Sequence, residues 1–284
     1  MSQILDGKVV GAAVRAELTE TIATHYSRWG TVPGLAVILV GEDAASAIYV
    51  ASKEKSCREV GIRSHTVRLP QTASTADVVA AVNQANQDPR VHGILVQMPL
   101  PPQVNETQVL AALDPEKDVD GLTTYSQGIL AQGMPGLYPC TPQGVLRLLD
   151  YYALPIRGRR ALVLGRSALV GRPLGLLLLG RDATVTWGHS HTKNLPELVS
   201  EAEILVAAIG RPHLIQGDWI RPDAVVVDVG INRHGKKVVG DVDFQVAQTR
   251  ASWITPVPGG VGLMTVAMLL ENTWQAFRNQ TGLR

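Results

Sequence analysis

Sulfur is scarce in this chain. Only two cysteines, Cys57 and Cys140, occur in 284 residues, and they lack C-x-x-C spacing, which argues against a disulfide scaffold and against a structural zinc site. A reducing compartment is expected. Charge of one sign is scarce too. The 26 Lys and Arg against 25 Asp and Glu leave +1, with no run long enough to form a basic stripe, so the electrostatic footprint of nucleic-acid binding is missing. Long apolar runs are also missing. The longest, Val261 to Leu270, is too short to cross a bilayer, and Met1 to Lys8 lacks the charged-then-apolar order of a signal peptide. A soluble, cytoplasmic protein with no membrane partner is expected. What the chain does have is apolar material, 45% hydrophobic against 18% charged residues, enough for a packed core. Its length suggests two domains or one large one.

Short β-branched runs alternate with longer helical stretches. Leu35 to Val40, Ile62 to Leu69 and Gly93 to Gln97 read as strands, separated by helices over Ala44 to Val60 and Thr75 to Gln87. Such alternation predicts βαβ units and a mostly parallel sheet covered on both faces. Six glycines and prolines between Gly128 and Pro142 break this rhythm and mark a domain boundary. A second series follows, with strands over Arg160 to Leu164, Ala183 to Trp187, Ile204 to Ile209 and Ala224 to Val229, and helices over Leu169 to Leu179 and Leu195 to Glu201. It has the pattern of a nucleotide-binding domain. Val261 to Arg278 reads as one buried helix, expected to pack back on the first domain.

Gly165-Arg166-Ser167-Ala168-Leu169-Val170-Gly171 stands where a strand hands over to a helix. Glycine there permits the tight turn, and a helix N-terminus offers free N–H groups to a phosphate. The loop is a loose variant of G-x-G-x-x-G, because Ser167 takes the place of the second glycine. About twenty residues on, where an acid meets the ribose hydroxyl in NAD enzymes, the chain reads Gly188-His189-Ser190-His191-Thr192. With no acid in that turn, Arg166 and Ser190 are placed to hold a 2′-phosphate, and NADP is favoured over NAD. His189 and His191 alternate without a third ligand nearby, so they are read as loop residues and no metal site is expected.

Tyr49 and Lys53 lie i, i+4 on one helix face, a pairing in which a lysine with shifted pKa moves protons. Such pairs also arise by chance as exposed faces with a snorkelling lysine. Against chance, Gln97 ends a predicted strand and runs into Met98-Pro99-Leu100-Pro101, and Asp118 and Asp120 follow in Lys117-Asp118-Val119-Asp120-Gly121. Polar residues at strand carboxyl ends line the ligand crevice of open α/β sheets. These segments, together with Pro139-Cys140-Thr141-Pro142, Gly165-Arg166-Ser167, Val170-Gly171-Arg172-Pro173, Val229 to Arg233 and Thr255-Pro256-Val257-Pro258-Gly259-Gly260-Val261-Gly262, occur in order along nearly the whole chain. In that order they resemble the bifunctional methylenetetrahydrofolate dehydrogenase/methenyltetrahydrofolate cyclohydrolase family.

The resemblance implies a homodimer of two-domain α/β subunits, with a cleft between an N-terminal catalytic domain and an NADP-binding Rossmann domain. Residues 1–140, completed by a C-terminal helix over 261–284, would form the first domain, and residues 141–260 the second. It implies tetrahydrofolate one-carbon derivatives as substrates and a place in one-carbon metabolism and purine biosynthesis. By position, Lys53 resembles the proton-transfer lysine, Tyr49 the tyrosine that positions folate and lysine, Gln97 the lysine's hydrogen-bond partner and Asp120 the carboxylate that anchors the pterin. Gly165, Arg166, Ser167, Ser190 and Ile231 match cofactor-contact positions; Pro258, Gly259 and Gly262 match the loop lining the folate site. Two departures border that site. Leu263 stands where the family commonly has proline, and Leu122-Thr123-Thr124 where it commonly has Phe-His-Pro. Both bear on substrate affinity and on the balance of the two activities. Two other functions are weighed. A different NADP oxidoreductase, such as a short-chain dehydrogenase, also uses Tyr-x-x-x-Lys, but there the pair follows the glycine loop, whereas Tyr49 and Lys53 precede it by more than a hundred residues. A non-catalytic nucleotide-binding module would leave Tyr49, Lys53, Gln97 and Asp120 together by accident.

Overall fold

The computed structural model describes residues 2–235 and 237–283, the side chains of residues 44, 45, 47 and 48 apart. In chain order the elements are β1 (Gln3–Ile4), α1 (Gly7–Trp29), β2 (Gly34–Val40), α2 (Ala44–Val60), β3 (Arg63–Leu69), α3 (Thr75–Gln87), β4 (Gly93–Val96), α4 (Glu106–Ala111), α5 (Thr124–Ala131), α6 (Cys140–Tyr151), β5 (Arg160–Leu164), α7 (Gly171–Leu179), β6 (Thr184–Gly188), α8 (Leu195–Glu201), β7 (Ile204–Ala207), β8 (Val225–Asp228), β9 (Asn232–His234), β10 (Lys237–Val239), α9 (Phe244–Ala247), β11 (Trp253–Ile254) and α10 (Val261–Thr281). They sort into two compact units, Ala13–Cys140 with Val266–Arg284, and Met1–Ala12 with Thr141–Thr265. Among the described residues no helix is long and apolar enough to cross a membrane.

The unit carrying Lys53 is built on a parallel three-stranded sheet of order β3-β2-β4. Its central strand, Gly-Leu-Ala-Val-Ile-Leu-Val, is buried at every residue, as a strand covered on both faces must be. Ile38 and Val40 of β2 and Ile94 and Val96 of β4 pack against Val78 and Val82 of α3 and Val109 of α4. Helix α3 starts at a capping box in which Ser74 and Asp77 exchange side-chain to backbone bonds. It ends against the buried Lys117, whose Nζ donates to the carbonyls of Asn86 at 2.6 Å and Asp88 at 3.1 Å, supplying donors that helix C-termini lack. Part of α10 completes this unit. Phe277 packs edge-on against the rings of His25 and His92, and Gln280 donates to the His92 carbonyl.

The second unit holds a parallel six-stranded sheet of order β1-β11-β8-β7-β5-β6. Leu162, Leu205, Val226 and Ile254 form its core across four strands. Strand β5 has β7 on one side and β6 on the other, so the order reverses at its carboxyl end, where such sheets bind ligands.

One expectation needs correction. Residues 1–12 and 261–265, read as part of the first domain, fall in the second unit: Gln3 and Ile4 pair in parallel with Trp253 and Ile254, and Gly7 N donates to the Gly259 carbonyl at 2.9 Å. A two-residue pairing between the chain's ends leaves no periodicity to read. The glycine- and proline-rich stretch holds the division between the two units, which falls after Cys140, and contains the end of α5 and the start of α6.

Candidate active site and cofactor cavity

Lys53 sits on the third turn of α2, a helix capped at its start by Asp43, which accepts from Ser46 N at 2.7 Å, and ended by Gly61 in the left-handed conformation. Gln97 is the first residue past β4, and its backbone N donates to Ile38 O at 2.9 Å, prolonging the β4–β2 ladder. Lys53 Nζ donates to Gln97 Oε1 at 2.9 Å, while Gln97 Nε2 donates to Met98 O at 2.6 Å, which fixes the amide's orientation. Asp120 reaches the same place because residue 118 forms a parallel bridge with Ile94 of β4. The chain thereby runs beside that strand. Asp118 is buried and holds the following turn, accepting from Leu122 N, Thr123 N and Ser126 Oγ.

Burial governs the titration here. Desolvation lowers the Lys53 amine, with Asp120 opposing the shift, and raises the Asp120 carboxyl, with Lys53 opposing it. Cys140, buried beside Asp120, is pushed well above the usual thiol value by burial and by that carboxylate. Its Sγ donates to Val119 O at 3.3 Å, and Asn272 Nδ2 donates to the same carbonyl at 2.8 Å and to Tyr138 O at 2.9 Å. An amine whose proton is held less tightly, beside a carboxyl whose proton is held more tightly, is an arrangement suited to moving protons. Tyr49 lies one turn before Lys53 and is 54% exposed, its ring open to a ligand.

In the other unit, a cavity of about 470 Å³ opens at the carboxyl ends of β5, β6 and β7 and is lined by Gly165, Arg166, Ser167, Ser190, Ile209 and Arg211 among others. Gly165 has φ +119°, and a Cβ there would stand 2.2 Å from the Ala208 carbonyl oxygen, so only glycine lets the loop turn this close to β7. Ser167 Oγ accepts from Val170 N at 3.1 Å, tying the loop to the start of α7. No carboxylate lines the cavity among the described residues, and two guanidiniums do. That donor set suits a dinucleotide carrying an extra phosphate. His189 and His191 stand with rings 6.1 Å apart; among the described residues no group of three or more His, Cys, Asp or Glu is placed to hold a metal. Ile231 is 57% exposed and outside the lining of this cavity. It approaches the position a Gly262 Cβ would take, at 3.4 Å.

A family model described as tetrahydrofolate dehydrogenase/cyclohydrolase, catalytic domain, matches residues 5–120, and its NAD(P)-binding domain matches residues 139–281. The chain belongs to the tetrahydrofolate dehydrogenase/cyclohydrolase family. A relative named bifunctional protein FolD, from Moorella thermoacetica, is 51% identical over 278 residues, 98% of this chain and 99% of its own. The crystal structure of the bifunctional enzyme FolD from Campylobacter jejuni matches with TM-score 0.96 at 43% identity, covering 98% of this chain and 99% of that one. That of the Trypanosoma brucei dehydrogenase-cyclohydrolase, complexed with NADP cofactor and inhibitor, matches with TM-score 0.95 at 38% identity, covering 99% and 98%.

Both departures from the family pattern have a local structural account. Thr123 is buried and caps α5 through Ser126 N, while Leu263 N donates to Gly260 O at 3.3 Å, a bond that proline cannot make. The sequence marks Cys140 as a free thiol and as part of a motif, but nothing in it marks Asn272. Asp228 and Asp241, two buried carboxylates behind the cofactor loops, were also missed, although Asp228 closes an apolar run and Gly240-Asp241-Val242-Asp243 echoes the Asp-Val-Asp at residue 118.

Proposed function

We propose that Lys53 is the proton-transfer group of a two-step reaction, with Gln97 and Tyr49 orienting it and Asp120 anchoring the pterin. The chain oxidises 5,10-methylenetetrahydrofolate with NADP and hydrolyses the 5,10-methenyl product to 10-formyltetrahydrofolate. The observation that carries the residue assignment is the Lys53 Nζ to Gln97 Oε1 bond of 2.9 Å beside a carboxylate. NADP, when bound, supplies the hydride acceptor for the methylene carbon. The cavity fits it: Gly165, Arg166, Ser167 and Ser190 line one space, and Ile231, Pro258, Gly259 and Gly262 belong to the same unit. Arg166 and Ser190 are the proposed holders of the 2′-phosphate, Ile231 a further cofactor contact. Pro258, Gly259 and Gly262 are proposed to line the folate.

In the hydrolytic step, water adds to the methenyl cation and gives up a proton; the resulting hydroxyl then loses its proton to solvent as the C=O bond forms and the bond from that carbon to N5 breaks, N5 taking a proton, so that one proton is released overall. Lys53, its amine lowered by burial, accepts the first proton as a free amine and returns one as an ammonium. Gln97 keeps the nitrogen aimed by accepting from it. Asp120 accepts paired N–H donors from the aminopyrimidine edge. A short-chain dehydrogenase reading is disfavoured, because Tyr49 and Lys53 lie in a different unit from Gly165. We further propose a cytoplasmic homodimer whose formyl product feeds purine biosynthesis. Two unpaired, buried cysteines support the reducing compartment, and the one-sided seven-residue strand β3 offers an edge for association.

The test is Lys53→Met, similar in length but unable to carry a proton. Hydrolysis of added methenyl substrate should fall by about 10²-fold or more, while NADPH formation from the methylene substrate falls less. Near-parental hydrolysis with hydride transfer lost would sink the assignment.

A further inference from the structure

The proposed cofactor contacts do not explain why two carboxylates are buried behind the cavity. Asp241 is fully buried and Asp228 nearly so. Asp241 gathers three consecutive backbone donors, Ile209 N at 2.6 Å, Gly210 N at 3.0 Å and Arg211 N at 2.9 Å. Ile209 and Arg211 line the cofactor cavity. The same carboxylate accepts from Asn232 Nδ2 at 2.8 Å, next to Ile231. Asp228 in turn holds the backbone of Asp241 and of the same loop, accepting from Asp241 N at 3.0 Å and Gly230 N at 2.9 Å. The packing leaves no slack: a Cβ on residue 230 would stand 2.3 Å from Asp241 Oδ1.

Besides the carboxylates, each loop has a backbone tie at one end, Val229 N donating to the Ala207 carbonyl at 2.8 Å and Leu214 N to the Arg211 carbonyl at 3.4 Å. Residues 209–211 follow the end of β7 and lie outside any helix or strand, as do residues 229–231 before β9. Charge-assisted bonds to backbone N–H groups are the strong kind, and these three are part-buried and share one buried carboxylate, so removing its charge weakens all three at once. We propose that Asp241 is a positioning residue for cofactor binding, holding the loop that carries Ile209 and Arg211 and, through Asn232, the backbone at Ile231, in one geometry. This inference rests on the reading of the cavity as the NADP site.

A purely structural role would destabilise the fold without altering how the folded protein binds NADP. Titration calorimetry of the full-length protein with NADP alone separates the two. Asp241→Asn should raise the NADP dissociation constant about tenfold with the stoichiometry kept. Asn232→Ala, which leaves the three backbone donors held, should raise it less. Glu203→Gln serves as the matched destabilised control. It removes the partner of Arg159 at the start of β7, far along that strand from the cavity, and should lower the unfolding midpoint while leaving NADP affinity unchanged. Hydrolysis of added methenyl substrate, which uses no NADP, should stay within about twofold of the parent in Asp241→Asn. Parental NADP affinity in Asp241→Asn, or loss of binding only in proportion to unfolded protein, overturns the proposal. A parent that binds no NADP overturns the cofactor reading and this inference together, whereas a parent that binds it equally with and without the Asp241 carboxylate overturns this inference alone.

Discussion

Titratable groups in this protein owe their chemistry to where their neighbours lie. Lys53 was legible in the sequence through its i, i+4 relation to Tyr49, and Asp120 through its place in an Asp-Val-Asp-Gly turn. Their mutual influence was not, because it depends on a bridge between Ile94 and residue 118. The cysteines show the same division. Their scarcity predicts free thiols, but only packing makes them inert. Burial pushes the Cys57 thiol up to about 12 and Cys140 well above its ordinary value. Since the thiolate is the reacting species, an aromatic disulfide reagent at pH 8 should label neither cysteine in the folded protein and both after denaturant is added; rapid native labelling would contradict the burial of both. At the cofactor cavity, Arg166 stands without a competing carboxylate. Arg166→Ala should therefore raise the KM for NADP about tenfold or more, with much less effect on NAD. Steady-state kinetics with each cofactor checks this, and equal losses would remove Arg166 from the 2′-phosphate.

Elements were most legible where pattern and burial agree. The unbroken apolar run of β2 read as a strand with both faces covered, and it is buried throughout. The start of α3 was placed at Thr75, where the Ser74 and Asp77 capping box sits. Replacing Ser74 by Ala removes the acceptor for Asp77 N and should destabilise the protein by about 1 kcal/mol, read as a lower urea midpoint with NADP affinity unchanged. No shift in midpoint would mean that the helix start is held by other contacts. Helix α1 was overlooked, although Val10, Val14, Leu18 and Ile22 recur every fourth residue and are all buried. The interval from Gly128 to Pro142 was legible as the boundary between the units but not as the site of helix ends. Glycine and proline suggest loops, yet Pro142 falls in the first turn of α6, where proline lacks only a donor that the helix would leave unused.

For the molecule as a whole, the Asp228 carboxyl couples folding to pH. Burial, the largest cause, and the nearby Asp241 carboxylate raise it to about 6, against the opposing bonds from the N–H groups of Asp241, Val242 and Gly230. The raised value means that the native state holds this proton more tightly than the unfolded chain does. Its contribution to stability is therefore full below the unfolded value near 4 and is lost as pH rises to about 6, by up to about 3 kcal/mol. Urea midpoints of the parent relative to Asp228→Asn should accordingly fall between pH 4.5 and 7; a constant difference would show that Asp228 is ionised throughout. The sequence by itself determined the class of fold, the two βαβ series, the glycine turn and the family, because each is written in local periodicity or in ordered motifs. Tertiary structure alone decided that Gln3 and Ile4 join the sheet of the glycine loop. It also decided that Asp241 collects the amides of a distant loop. Those outcomes rest on pairings between segments far apart in the chain, and a hydrogen bond that closes only when the strands are in register leaves no trace in the residues on either side of it.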